Sequence, residues 1–308
     1  MILNLFLLAA GLALLIVSGD YLVRGATQAA ENLGISPLVI GLTVVSAGTS
    51  LPELLISVQA ALSGSPGIAI GNVVGSNIAN VFLVIGLPAL LYPIHSGGTG
   101  MRRNITVMLA VTGIFMMILS TGLVGRAEGV LLFLSLCGFV AWQVWTARRA
   151  FANGETEPPA HHDPKRVAAF LVGGAIGLPI AAQITIHGGV GLAESFNISD
   201  AVIGLTVIAI GTSLPELATT MMAAVRKNSG IAIGNVVGSN IFNIVGIMGL
   251  TALITPVAVD PRVIAVDMWV MLGAAITVAA LGFTRYPAGK PVGIAMLAAY
   301  AIYIVTLV

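Results

Sequence analysis

The chain has 308 residues, of which 57% are hydrophobic and only 8% charged, and its net charge is +1. A soluble domain carries about 25% charged residues, so the composition excludes a soluble protein and predicts an integral membrane protein, with a mean hydropathy of +1.04. The net charge gives no sign of a nucleic-acid partner, and the single Cys137 rules out a disulfide framework.

A membrane-spanning helix needs about 20 mostly apolar residues. The first such run, 2–22, has no positive stretch before it and reads as a retained helix rather than a cleaved signal peptide. Next come 36–62, 68–93, 104–122 and 127–147. A polar stretch, RRAFANGETEPPAHHDPKR at 148–166, then reads as a solvated, flexible linker, His161, His162 and Asp163 included. Beyond it lie 167–188, 200–225, 231–256, 265–283 and 291–307. The runs are too long for strands and show no alternation. The expected fold is therefore all-α, with ten transmembrane helices in two halves, 1–147 and 167–308. With the N-terminus outside, 11 of the 13 Lys and Arg fall on the inner side and only Arg126 and Arg262 on the outer. The positive-inside rule then puts both termini outside and the linker in the cytoplasm.

Two words recur. GTSLPEL stands at 48–54 and 211–217, and GIAIGNVVGSNI at 67–78 and 230–241. Gly41–Gly86 aligns with Gly204–Gly249 without a gap, and 27 of 46 positions are identical, which makes this an internal repeat. Five helices per half is an odd number, so the second half enters the membrane upside down. Inverted repeats of this kind mark secondary transporters whose binding site lies near the midplane.

The repeated words carry polar groups at membrane depth. Glu53 and Glu216 fall near the middle of their segments, where an ionisable group is expensive and usually functional. A lone Glu is sometimes merely tolerated; two at matching positions, each flanked by the same hydroxyls, point to a site. Thr49 and Ser50 share a helix face with Glu53, as Thr212 and Ser213 do with Glu216; Ser76 with Asn80 and Ser239 with Asn243 form two further faces. Pro52 and Pro215 remove a helical hydrogen bond and free carbonyls around 48–49 and 211–212. Every candidate ligand is an oxygen. The lack of Cys and His argues against Zn2+ or Cu+, while Ca2+ takes six to eight oxygens in forgiving geometry. The same cage offers oxygens for several Na+. Gly67, Gly71 and Gly75, with Gly230, Gly234 and Gly238, are expected to pack helices closely, and Asn72 and Asn235 to support the shell. Asp20, Glu31 and Glu194 read as structural.

GTSLPE with GNVVGSNIxN, twice, resembles the alpha-repeats of the cation/Ca2+ exchanger superfamily, in its prokaryotic sodium/calcium exchanger branch. The resemblance covers the repeats closely and the ten-helix plan over nearly the whole chain. It implies one cavity with four ion positions. Glu53 and Glu216, with the carbonyls of Thr49 and Thr212, would hold Ca2+. The Ala209 carbonyl with Thr212, Ser213 and Ser239 would form an outer Na+ position. The Ser46 carbonyl with Thr49, Ser50 and Ser76 would form an inner one, and Asn80 and Asn243 would line the middle.

It also implies that the first and sixth helices slide against the other eight. Exchange of about three Na+ for one Ca2+ would be electrogenic, because two carboxylates leave a Ca2+-loaded site neutral and a three-Na+ site positive. Asn243 stands where K+-dependent relatives carry Asp, and Ser46 where Ala is frequent. The expected function is thus Na+/Ca2+ antiport across a prokaryotic inner membrane, with Ca2+, Na+ and the bilayer as the only partners, no protein partner and no cofactor. Proton-coupled or K+-dependent antiport is the alternative, and a passive channel the reading from another class. An enzyme is not expected, since neither Ser50 nor Ser213 has a His in a comparable segment. The absence of a GxxxxGK[ST] loop leaves an ion gradient as the driving force.

Overall fold

The computed structural model describes residues 1–95, 99–155, 158–196, 209–284 and 286–307, with the side chains of Pro66, Thr99 and Ala209 left aside. In chain order, α1 is Ile2–Leu33. Helix α2, Pro37–Ile40, continues through a π-helical turn, Gly41–Val45, into α3, Ser46–Thr49. Then follow α4, Leu51–Leu62, α5, Pro66–Phe82, and α6, Gly86–Ala89. Helices α7, Thr99–Ser120, and α8, Arg126–Ala152, flank a two-residue strand β1, Leu123–Val124. In the second half come α9, Pro164–Ser195, α10, Ala209–Thr212, and α11, Leu214–Val225. Helix α12, Ser229–Ile241, runs through the π-helical Phe242–Met248 into α13, Gly249–Ile254. Strand β2, Val257–Ala258, the π-helical turn Val263–Asp267, α14, Met268–Thr284, and α15, Lys290–Leu307, complete the chain.

The molecule is an all-helical, multi-pass membrane protein. Among the described residues eight helices are long and apolar enough to cross a membrane, or nine if the pair Pro37–Thr49 and Leu51–Leu62, bent by 45°, is one span. The predicted segment 200–225 is described only from Ala209 onward, where Leu214–Val225 is a shorter apolar helix. The long helices overrun the predicted edges: α1 reaches Leu33 before Gly34 stops it in the left-handed conformation, φ 59°.

Two other expectations change. The short antiparallel pair β1–β2, Leu123 opposite Ala258, is an addition to an otherwise helical plan. The linker is shorter than 148–166 and docked rather than free. Helix α8 runs on to Ala152, and Asp163 caps α9 by accepting from the Lys165 N–H at 3.0 Å. Between them the Ala160 N–H donates to the Glu31 carbonyl at 3.0 Å. The His162 N–H donates to Asn32 Oδ1 at 2.8 Å, and His162 Nε2 lies 2.6 Å from Glu31 Oε2.

The repeat helices form the centre. The span Ser229–Ile254 is mostly buried, at 78%, against 22% for Ile2–Leu33, so the motif-bearing helices are shielded by the plainer ones. Helices α1 and α9 pack along each other through small residues. A Cβ on Gly174 would come within 2.6 Å of the Leu22 N, and one on Gly188 within 2.5 Å of the Leu8 N. Their outer faces, Phe6, Ile176 and Ile180 among them, are exposed and suit lipid.

Candidate ion-binding site

Both GTSLPE words break their helices in the same way. Proline has no N–H to give the carbonyl four residues back, so the chain leaves helical geometry one step before Leu-Pro-Glu: Ser50 has φ −86° and ψ 7°, Ser213 φ −89° and ψ 6°. The helix then restarts with the Glu in its first turn, Glu53 on α4 and Glu216 on α11. Both carboxylates are about 1% exposed or less.

An asparagine from the neighbouring motif helix holds each break. Asn72 Nδ2 donates to the Glu53 carbonyl at 3.1 Å and to Ser57 Oγ at 2.9 Å. At the repeat-related place, Asn235 Nδ2 donates to the Glu216 carbonyl at 3.3 Å and to Thr220 Oγ1 at 3.1 Å. The two copies also reach across to each other. Ser50 Oγ donates to Glu216 Oε1 at 3.0 Å, and Thr49 Oγ1 to Asn235 Oδ1 at 3.1 Å. Asn80 Nδ2 donates to Asn240 Oδ1 at 3.2 Å.

The unpartnered atoms define the site. Among the described residues, both carboxylate oxygens of Glu53, Oε2 of Glu216, Oγ of Ser213 and Ser239, Oδ1 of Asn80 and both side-chain polar atoms of Asn243 are buried with no hydrogen-bond partner. A buried polar group without a partner costs about 1–3 kcal/mol, more if charged, and such groups in a folded protein call for an explanation. All but one of these atoms are oxygens. Buried oxygens without partners, those of two carboxylates among them, are the kind of donor that a hard cation takes.

The remaining predicted residues are placed as follows. Ser76 is buried, at 4% exposure. Thr212 ends α10 and is half-buried, and Ala209 opens the same short helix. The Ser46 hydroxyl is spent on the carbonyls of Leu42 and Thr43, at 2.9 and 3.2 Å. The Ser46 carbonyl accepts from the Ser50 N–H at 3.0 Å and from Thr49 Oγ1 at 3.3 Å. The glycines divide. A Cβ on Gly234 would meet the Leu38 carbonyl at 2.9 Å and one on Gly238 the Leu42 carbonyl at 2.7 Å, whereas Gly67, Gly71 and Gly75 meet no described neighbour within 4 Å. The repeat counterpart of Gly41, against which Gly234 packs, is residue 204, outside the described residues.

Sequence reasoning passed over Asn77, Asn240, Ser57 and Thr220. Asn77 and Asn240 were legible as the invariant Asn of the repeated GSNI. Ser57 and Thr220 carried a weaker signal, a hydroxyl four residues after each Glu in an otherwise unlike stretch.

The model of the family described as "Sodium/calcium exchanger protein" matches residues 3–145 and 166–308. This chain belongs to the sodium/calcium exchanger family. Its similarity to individual members runs end to end. It is 38% identical to the inner membrane protein YrbG of Escherichia coli, covering 100% of this chain and 97% of that one. It is 31% identical to the sodium/calcium exchanger MaX1 of Methanosarcina acetivorans, over 99% and 98% of the two chains. The solved structure of the sodium-calcium exchanger NCX_Mj superposes with a TM-score of 0.86 at 33% identity, covering 100% of this chain and 99% of that one. Members of this family are ion exchangers, transporters rather than enzymes, and cation/Ca2+ exchange is the activity that membership supports.

Proposed function

We propose that the chain is an electrogenic Na+/Ca2+ antiporter of a prokaryotic inner membrane, working by alternating access. Its ten spans are two inverted five-helix halves, 1–147 and 167–308, with both termini outside and the connection 148–166 in the cytoplasm. Glu53 and Glu216, with the carbonyls of Thr49 and Thr212, take Ca2+. Ser213, Ser239, Thr212 and the Ala209 carbonyl take one Na+; Ser50, Ser76, Thr49 and the Ser46 carbonyl take another; Asn80 and Asn243 line the space between.

One observation carries the reading: two repeat-related, buried carboxylates, three of whose four oxygens have no partner among the described residues. Two negative charges match one Ca2+ and are over-matched by three Na+, so a full cycle moves charge.

The test is Ca2+ flux in proteoliposomes made with Glu53→Gln and Glu216→Gln. Each variant keeps the side chain's volume and removes one charge. The expected result is loss of transport by at least two orders of magnitude with an unchanged elution profile, since a charge-carrying ligand is gone from a buried site. Flux at the wild-type rate in either variant contradicts the assignment.

A further inference from the structure

A polar cavity of about 560 Å3 lies away from the carboxylates, where the start of α7 and the end of α8 meet the connection that follows α1. It is on the membrane face that also carries the linker. Its volume falls in the range of small-molecule sites, and its lining is sorted by chemistry. Arg103 and Arg149 stand in the wall, each stacked on a tryptophan of α8. The Arg103 Cζ is 4.5 Å from the centroid of Trp142, and the Arg149 Cζ 5.4 Å from that of Trp145. Stacking holds a guanidinium over the ring and leaves its in-plane N–H donors free. Among the described residues neither arginine forms an ion pair. Trp145 is 55% exposed, a setting that suits the aromatic belt at a membrane–water interface.

The buried part of the wall offers the opposite character. The Gly100 carbonyl can only accept, so it takes Asn104 Nδ2 at 2.8 Å and turns Asn104 Oδ1 toward Gln143. Gln143 therefore points its own amide N–H at Asn104, at 2.5 Å. That leaves Gln143 Oε1 as a fixed acceptor, 1% exposed as a residue and without a partner among the described residues. The cavity thus presents two unpaired cations and one unpaired acceptor. Glu155 also lines it, with Oε1 accepting from Asn153 Nδ2 at 2.9 Å, so the formal charge of the lining is +1 and suits a ligand with one negative charge.

We propose that this cavity binds a phosphatidylglycerol headgroup, its phosphodiester between Arg103 and Arg149 and a glycerol hydroxyl donating to Gln143 Oε1. The headgroup supplies one negative charge, acceptor oxygens for the two arginines and an O–H for the orphan acceptor. Phosphatidylcholine carries the same phosphodiester but has no donor and no net charge. Basic pockets at this membrane face are a recurrent mode of lipid headgroup recognition. The lining also includes Ser36 and Leu38 of the joint between α1 and α2, so the lipid would rest on the start of the broken helix that carries Thr49 and Ser50.

Native mass spectrometry of the full chain in detergent tests this. The chain is equilibrated with phosphatidylglycerol or phosphatidylcholine of identical acyl chains, with glycerol phosphate as the soluble probe. Wild type is expected to retain phosphatidylglycerol about tenfold better than phosphatidylcholine, as expected for a lipid without net charge that also leaves the buried Gln143 acceptor unsatisfied. Arg149→Ala should remove most of that preference and Arg148→Ala, next to it but outside the lining, none. Gln143→Leu should bring the two lipids level. Since Gln143 is buried, Arg103→Ala serves as the second variant if the Gln143→Leu protein fails to fold. Equal retention of the two lipids by wild type, a preference that survives Arg103→Ala and Arg149→Ala, or displacement of the lipid by glycerol phosphate would each overturn the proposal.

Discussion

Asn235 does the most work of any single side chain around the proposed site. It donates to the Glu216 carbonyl and to Thr220 Oγ1, and accepts from Thr49 Oγ1 of the other copy. It touches the main chain of one proposed Ca2+ ligand and the side chain of another residue of the site, so it sets their separation without itself being assigned to the ion. Supporting residues of this kind typically cost 10–100-fold in metal affinity when removed. Asn235→Ala is therefore expected to weaken Ca2+ binding by about that factor, read by calorimetry on the purified protein, and Asn235→Asp to lose less because Oδ1 remains. Affinity unchanged in Asn235→Ala would show that the hydrogen bonds position nothing. These residues were half legible in the sequence. Repetition of GSNI and GNVVG made every Asn visible, but linear spacing could not tell that Asn72 and Asn235 turn toward main-chain carbonyls while Asn243 keeps both polar atoms unpartnered.

At the scale of elements, the sequence was most readable where proline wrote the structure. The Pro in each GTSLPEL predicted a broken helix, and the backbone leaves helical geometry at Ser50 and Ser213 with nearly the same dihedral angles. An alanine at position 52, in the first turn of α4, restores the N–H that the Gly48 carbonyl lacks. Pro52→Ala should therefore draw α3 toward α4 and lower Ca2+ affinity, as the carbonyls around Gly48 and Thr49 return to the helix, with little change in the thermal midpoint because proline in a first helical turn carries little penalty. Full affinity in Pro52→Ala would mean that the break serves packing rather than ligation. Less readable was the polar stretch 148–166. Its composition looked like a solvated tether, yet Glu31 and Asn32 at the end of α1 hold His162 and Ala160. Such contacts join residues about 130 positions apart, and no local pattern announces them.

For the whole molecule, hydropathy located the spans but not their neighbours. Apolar runs gave segment positions to within a few residues at most ends. They missed the eleven extra residues of α1, because Asp20, Arg24 and Glu31 lower the hydropathy of a helix that continues past the bilayer core. There Asp20 finds its own partners, Arg24 Nε at 2.7 Å and Arg226 Nε at 2.6 Å, which ties α1 to the end of α11. Nor could composition show that α1 and α9, nearly half a chain apart, lie together through glycines while the repeat helices occupy the centre. The internal repeat supplied what hydropathy could not: two matching sets of polar residues that had to meet if the halves are inverted.

The measurement that reaches the central claim most directly is Ca2+ uptake into proteoliposomes of this chain, loaded with Na+, while the K+ gradient, the pH gradient and the membrane potential are varied one at a time. The account predicts uptake that requires internal Na+, ignores K+ and pH, and runs faster when the interior is held positive, because each cycle carries net positive charge outward. Uptake that proceeds without internal Na+ and follows a proton gradient would contradict it.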